Sequence, residues 1–408
     1  MDGSSVTSAT IRWSRIICVM LALLTAAEGA ARLYVWLWTG KEYRSTALYR
    51  WSPYGLVRNN PDVTSPTFQI DKSGFRNIEE FDRLKPPGTY RVILLGGSVL
   101  YAGLASVFLQ EEGRVGSDAT IAQYLQRILA ADPALKGMRV EVINAAVNYN
   151  RIVETSSAYI AEYVHWDPDL VIVFGSANNF LGVPTAEEIR LKTHNVQGDH
   201  PWKKEFERQV NQRNLAALVE NALLTASDHL ASVAMLRKLL GKLLDSAIAV
   251  AGRHSMQTPP PGDHRPASIE DEERYFNDYA AYADAMVAAA RRQGQDIAFF
   301  WEHWLGDLGD VKPLSGREQW LHAQVRRAPE QTAYATRMRG RWVRNFGERK
   351  IPYVDPIDVL RTNDQTLYID YLHYTRRGND VMAQATYDAL KPLIHAKVGD
   401  RERRPDSR

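Results

Sequence analysis

The chain has 408 residues, of which 45% are apolar, 24% charged and 10% aromatic; this is enough for one large globular domain or two ordinary ones and excludes a disordered chain. Fifty Lys and Arg stand against 48 Asp and Glu, a formal net charge of +2, so no strong field exists to gather nucleic acid or an anionic surface. A single cysteine, Cys18, excludes intrachain disulfides, multi-cysteine zinc or iron-sulfur sites and thiol redox chemistry.

After an N-terminal tail, 1–15, the run Ile16 to Trp38 reads IICVMLALLTAAEGAARLYVWLW; its 23 residues, at about 1.5 Å each, make roughly 35 Å of helix, enough to cross a bilayer core with some tilt. Glu28 and Arg32 interrupt it, four apart with the acid first, so on a helix they partly neutralise one another while the Arg reaches toward a headgroup. Trp36 and Trp38 mark the interface. A cleaved signal peptide is the rival reading, because Arg12 and Arg15 precede the run and Ala27, Ala30 and Ala31 resemble a cleavage region; a buried soluble helix is the third. The continuation LYVWLW favours an uncleaved anchor, since a mature protein beginning there would expose an aromatic cluster. Lys41, Arg44 and Arg50 balance Arg12 and Arg15 across the run, so charge counting leaves its orientation open. No second run of comparable length follows, and a single span carrying a soluble body is expected.

Residues 39–90 are rich in Pro, Asn, Asp and Tyr without sustained periodicity; they predict an extended juxtamembrane segment with short strands, closed by Pro86-Pro87-Gly88. The body is expected over 91–396. RVILLGG (91–97), VEVINAA (140–146), LVIVFGS (170–176) and DIAFFWEH (296–303), with a shorter IPYVD (351–355), are apolar runs without alternation, as in strands buried on both faces. Between the first two, TIAQYLQRILAA (120–131) has the apolar stripe of a helix. Strand and helix alternate, which predicts an α/β sandwich around a mostly parallel sheet, its ligand site beyond the carboxyl ends of the strands. Two long helical patterns, Trp202 to Val250 and Ile269 to Arg292, separated by QTPPPGDHRP, read as a helical insertion over about 203–293. The apolar face of Ala280 to Ala290 is expected to pack on its own sheet, a partner-binding helix being the alternative. The charged tail, 397–408, is expected to fray.

Three groups could carry chemistry. Ser98 follows two glycines at the end of the first strong strand, in LLGGSVLYAG, so its hydroxyl projects from a sharp strand-to-helix turn; neither a dinucleotide fingerprint nor a Walker lysine is present there. Asp370 lies three residues before His373 in a loop leading into the helical run VMAQATYDALKPLI, where it can hydrogen-bond one ring nitrogen and leave the other facing a nucleophile. Asn178, just past the third buried strand, can bring a side-chain amide to the same edge. Each alone is commonplace: a structural turn, an accidental spacing, a turn residue. Together they supply nucleophile, base, orienter and oxyanion stabiliser. Glu302 and His303 close a buried strand and point toward that edge, as a substrate contact or as a packed or solvated pair. His165 beside Trp166 reads as a loop residue. No spacing suggests a metal site, and no cofactor is implied.

These blocks resemble the SGNH or GDSL-like hydrolases, specifically their membrane-anchored bacterial branch. FQIDKSGFRN (68–77) looks like the family's lead-in, RVILLGGSVLYAG its first block in a GGS version, VEVINAAVNYN its second, DPDLVIVFGSANNF its third and YIDYLHYTRRGNDVMAQ its last. The resemblance implies a three-layer α/β/α sandwich of flavodoxin-like, SGNH hydrolase type, with a mostly parallel sheet, a helical insertion and an N-terminal transmembrane helix. It implies that Ser98 attacks an ester carbonyl after passing its proton to His373, with Asp370 orienting the imidazole, and that the oxyanion is held by the Ser98 backbone N–H, a second-block N–H and the Asn178 amide. The second block lacks its usual glycine and offers Asn148 or Tyr149; Asn tolerates left-handed backbone angles better, so Asn148 is the expected donor. Gly97, Tyr149, Asn179 and His303 are possible substrate contacts.

The expected protein is a serine ester hydrolase of O-acyl esterase type, anchored in the bacterial inner membrane by one N-terminal helix. Its catalytic domain lies on the periplasmic side, acting on an acylated cell-surface glycan or other small ester, with no nucleic-acid partner. An O-acyltransferase on a surface polysaccharide and an inactive glycan-binding or assembly protein are the alternatives.

Overall fold

The computed structural model describes residues 3–44, 48–52, 56–63, 65, 68–102, 115–180, 226, 229–236, 239, 267–308, 311–325 and 329–403. The chain divides into two compact units, one of Met1–Leu48, Asp62–Pro66 and Glu205–Pro260, the other of Tyr49–Pro61, Thr67–Lys204 and Pro261–Arg408.

In the first unit a helix runs Gly3–Thr39, enclosing the expected span; its stretch Arg15–Thr39 is long and apolar enough to cross a membrane. The charged pair inside it does more than neutralise itself. Glu28 accepts from Arg32 at 2.7 Å, from the backbone N–H groups of Ala231 and Ser232 at 3.0 and 2.9 Å and from the Ser232 hydroxyl at 2.7 Å, so it caps the helical residues 231–236. Arg32 also donates to the carbonyls of His229 and Tyr43, and Ala31, Tyr43 and Ala231 close a small apolar cluster. Most of the expected helical pattern Trp202 to Val250 lies outside the described residues.

The second unit contains a five-stranded sheet in the order β4-β3-β5-β6-β7, every neighbouring pair parallel: β3 Thr89–Gly96, β4 Arg139–Asn144, β5 Leu170–Phe174, β6 Asp296–Phe300 and β7 Tyr353–Val354. Side chains alternate across a strand. Ile93, Leu95, Ile143, Val171, Val173, Ile297 and Phe299 pack with the helices Ile152–Ala161, Ile269–Arg292 and Pro329–Glu348 in one continuous core. Their neighbours Val92, Leu94, Val142, Ile172 and Phe300 are as deeply buried toward the opposite layer, where the helices Ile121–Ala130 and Arg376–Arg403 pack together. The architecture is therefore an α/β/α sandwich. From β3 the chain steps to one side for β4 and back to the other for β5, so the switch point of the winding lies between the carboxyl ends of β3 and β5.

The helix Ile269–Arg292 begins where its signal places it, because Ser268 and Asp271 form a reciprocal capping box. Ala283, Met286 and Ala290 bury its apolar face against the chain's own sheet. The final helix continues through Arg403 into the charged tail, steadied by Lys397, which donates to the Gly294 carbonyl at 2.6 Å.

Residues 49–61 and 67–90, read from sequence as juxtamembrane, belong to the compact body. Tyr49–Ser52 (β1) and Leu56–Asn59 (β2) form an antiparallel hairpin, and Phe75 and Phe81 enter the main core, Phe75 against the rings of Tyr163 and Trp166. Isolated aromatics between polar residues carry no periodicity, so sequence pattern could not reveal this burial.

Candidate active site

β3 ends at Gly96 and the chain turns at Gly97 into the short helix Ser98–Tyr101. Gly96 is required by its close approach to the end of β5, and Gly97 leaves room for the Asn178 side chain. A Cβ on Gly96 would lie 2.5 Å from the Phe174 carbonyl oxygen, and one on Gly97 would lie 2.3 Å from Asn178 Nδ2. Beneath this turn the wholly buried Arg76 donates to the carbonyls of Tyr101 and Val115 and lies over the Tyr101 ring, 4.7 Å from its centroid. Burial brings its guanidinium down to about 10. The Gly-Phe-Arg lead-in thus supplies a core anchor, Phe75, and a brace for the turn that carries Ser98.

Ser98 Oγ lies 2.9 Å from His373 Nε2, and His373 Nδ1 lies 2.8 Å from Asp370 Oδ2. With Asp370 accepting from Nδ1–H, the Nε2 lone pair faces the serine hydroxyl. Asp370 Oδ1 accepts from the backbone N–H groups of Leu372 and His373 at 2.8 and 2.7 Å, which fixes the carboxylate within its own loop. Burial works to raise the Asp370 carboxyl, but the His373 ring and these N–H groups outweigh it and hold it below its ordinary range. The loop is pinned at both ends. Ile369 N–H donates to the His373 carbonyl at 2.9 Å, and the buried Glu318 accepts from Leu367 N–H at 2.9 Å and from Lys312 at 2.7 Å. Sequence reasoning had no signal for this Lys312–Glu318 brace, since nothing in the spacing distinguishes it from a surface pair.

Asn178, in the turn after β5, donates from Nδ2 to the Asn150 carbonyl at 2.8 Å and stands directly over Gly97. Ser98, His373, Asp370, Asn178 and Gly97 are therefore gathered at the switch point of the sheet.

Other expected contacts lie differently. The left-handed position of the second block falls at Tyr149, with φ of 68°, and not at Asn148. Asn148 instead is buried and its Nδ2 donates to the Tyr49 hydroxyl of the hairpin at 2.8 Å, so the conformational ground for choosing it as a backbone donor is lost. Tyr149 is 43% exposed and Tyr371, beside Asp370, is 46% exposed. Asn179 turns inward: its amide donates to the Gly175 carbonyl and its own carbonyl accepts from the Tyr275 hydroxyl at 3.0 Å, which removes it as a substrate contact. His303 is likewise a core residue, its Nε2 paired with Asp355 at 2.8 Å while Arg339 holds the other carboxylate oxygen at 2.7 Å. Its partner in the motif, Glu302, is the residue that reaches the site. Its Oε2 accepts from the backbone N–H groups of Ser176 and Ala177 at 3.0 and 2.8 Å, immediately before Asn178. Among the described residues no group of three or more His, Cys, Asp or Glu side chains is arranged to hold a metal ion.

The arrangement can pass a proton from a hydroxyl to an imidazole steadied by a carboxylate, with an amide donor beside the glycine that precedes the serine. No protein-family model matches the sequence, and no curated protein matches it. Solved structures do. A mutant of an acetyl-xylooligosaccharide esterase from Geobacillus is 14% identical, covering 74% of this chain and 94% of its own, with a TM-score of 0.38. An alpha/beta hydrolase from the metagenome of Lake Arreo is 13% identical over 74% and 95%, with a TM-score of 0.36. An acetyl xylan esterase is 11% identical over 74% and 99%, with a TM-score of 0.36. These are what the chain is similar to, at a level that assigns it to no family.

Proposed function

We propose that the protein is a serine ester hydrolase of the SGNH or GDSL-like type. The observation that carries this is the continuous chain from Ser98 Oγ through His373 to Asp370, with separations of 2.9 and 2.8 Å. In the proposed reaction His373 Nε2 takes the Ser98 proton as Oγ bonds to the ester carbonyl carbon. The oxyanion is held by the Ser98 backbone N–H and the Asn178 amide; each such donor contributes about 3 kcal/mol in the transition state. Collapse expels the alcohol, which takes the proton from His373, and water then resolves the acyl-serine by the same steps.

The substrate class we propose is an O-acyl group on a cell-surface glycan or another acylated extracytoplasmic ester. The exposed rings of Tyr149 and Tyr371 support it, since they offer the flat apolar faces on which a saccharide can lie. The apolar N-terminal helix supports a membrane anchor; the bacterial inner membrane, with the catalytic unit outside the cytoplasm, is what the family resemblance implies.

The test is covalent labelling of the full chain in detergent with a fluorophosphonate probe. Labelling is expected at Ser98, absent in Ser98→Ala and slowed by about 10³-fold or more in His373→Ala. An unlabelled wild-type protein that hydrolyses no p-nitrophenyl acetate would leave an inactive binding protein. Acyl transfer to an added acceptor glycan in place of water would make it a transferase.

A further inference from the structure

We propose that Glu302 is a positioning residue of this site, locking the turn after β5 so that the Asn178 amide is held over Gly97, next to the nucleophile. The inference rests on the hydrolase reading above.

Glu302 follows β6 and is buried. Its Oε2 accepts three donors from the turn after β5: Ser176 N–H at 3.0 Å, Ala177 N–H at 2.8 Å and the Ser176 hydroxyl at 3.4 Å. The Glu302 backbone N–H returns a bond of 2.7 Å to Ser176 Oγ. Two adjacent strand ends are thus locked reciprocally by one side chain, and the residue that follows the lock is Asn178. From there the Asn178 amide lies against Gly97 and donates to the Asn150 carbonyl. An oxyanion donor must be fixed before the charge develops, because reorienting it during the reaction would consume the stabilisation it provides. Glu302 provides that fixity from the protein interior, without touching substrate.

The state of this lock depends on pH. The titratable groups that interact electrostatically with Glu302 are His373, from the loop before the final helix, and Tyr279, from the helix Ile269–Arg292. Tyr279 stays un-ionised through burial and accepts from the Trp342 indole at 3.2 Å, so the charge that Glu302 feels is that of His373. Burial pushes the Glu302 carboxyl up to about 7, the Ala177 and Ser176 donors and the positive form of His373 working against it. Around neutrality Glu302 is therefore only partly ionised. When it is ionised it accepts all three donors; when protonated it accepts them less well and the lock loosens.

The experiment uses the full chain in detergent, with p-nitrophenyl acetate as substrate and the fluorophosphonate probe as a separate report on Ser98. Glu302→Gln is expected to lower kcat by about 30-fold with KM within about twofold. In the wild type log kcat/KM is expected to fall more steeply on the acid side than in Glu302→Gln, which lacks the titrating carboxyl. In a double-mutant cycle the loss in Glu302→Gln with Asn178→Ala is expected to be within about threefold of Asn178→Ala alone. A kcat within threefold of wild type, an unaltered acid limb, or fully additive losses would overturn the proposal while leaving the hydrolase intact. An inert wild type overturns the hydrolase reading and the inference together. Should Glu302→Gln fail to fold, Ser176→Ala weakens the same lock more gently; an about fivefold loss of kcat that is non-additive with Asn178→Ala supports the proposal, and no loss or an additive one overturns it.

Discussion

Gly97 shows how little room the site leaves. The atom nearest to a would-be Cβ, at 2.3 Å, is the tip of the Asn178 side chain, which can move, and the next is the Asn150 carbonyl oxygen at 3.0 Å. Gly97 itself has φ of −97° and ψ of −150°, angles open to alanine, so the backbone imposes no penalty. The methyl group of Gly97→Ala would instead push away the Asn178 amide. Activity should suffer and the fold should not: kcat for p-nitrophenyl acetate is expected to fall about 10²-fold, the worth of one oxyanion donor, with a thermal midpoint within a few degrees of wild type. Retained kcat would show that Asn178 does not contact the reacting oxygen. At this scale the sequence pointed Ser98, Asp370, His373 and Asn178 to one sheet edge, because each lies at a strand exit or in a loop leading into a helix, and the structure gathers them there. It misdirected where long-range packing decides. The left-handed angle was assigned by residue preference to Asn148, but the hydroxyl of Tyr49, 99 positions away, takes that side chain and the angle passes to Tyr149. Likewise His303 attracted notice as an imidazole at a strand end, while the side chain that reaches the site is Glu302, whose significance depends on two backbone N–H groups in another strand's exit.

Elements were legible where a period runs long enough to register. The uninterrupted apolar runs became β3 to β6, and the 3.6-residue stripes became the helices Ile121–Ala130 and Ile269–Arg292. The segment before β3 was not legible, because a four-residue hairpin arm and single buried aromatics offer no period. The N-terminal helix is a different case: its length was plain and its fate was not. Packing now bears on that fate. Glu28 receives four donors, from Arg32, Ala231 and twice from Ser232. Cleavage after Ala30 or Ala31 would remove this acceptor and with it the cap of the helical residues 231–236, at about 0.5–2 kcal/mol. Cleavage after Ala27 would put Glu28 on a frayed end. The mature protein is therefore expected to keep the helix: the intact mass of chain recovered from membranes should include residues 16–38, and the chain should resist extraction by alkaline carbonate. A mature N-terminus at Glu28, Ala31 or Arg32 would make the run a signal peptide.

The whole sandwich responds to pH through carboxyl groups that folding has moved away from their ordinary values, and one of them isolates the effect. Asp71 opens the lead-in loop. Its Oδ1 accepts from Ser73 and Phe75 N–H at 2.9 Å each, while Oδ2 is buried without a hydrogen bond. Burial raises its carboxyl to about 6 from an ordinary 3.8, more than the N–H donors of Phe75, Ser73 and Gly74 can offset. Between those values the folded chain binds a proton that the unfolded chain has released. The resulting stabilisation is complete below pH 3.8 and is lost as pH rises through about 6. The difference of about two pKa values corresponds to roughly 3 kcal/mol. Asp71→Asn keeps an acceptor for Ser73 and Phe75 and cannot ionise, so it lacks this slope. Glu302, raised to about 7 by burial, adds a slope of the same sign, and Asp132, Asp355 and Asp370, held low by their partners against burial, add the opposite one at more acid pH. All four are common to wild type and variant and cancel in the comparison. Urea unfolding of both proteins at pH 4, 6 and 8 should then show the stability difference moving toward Asp71→Asn by up to roughly 3 kcal/mol between pH 4 and 8, most of it by about pH 7. A difference that stays constant across that range would mean that Asp71 is ionised throughout in the folded protein, and that its second oxygen finds a partner from solvent.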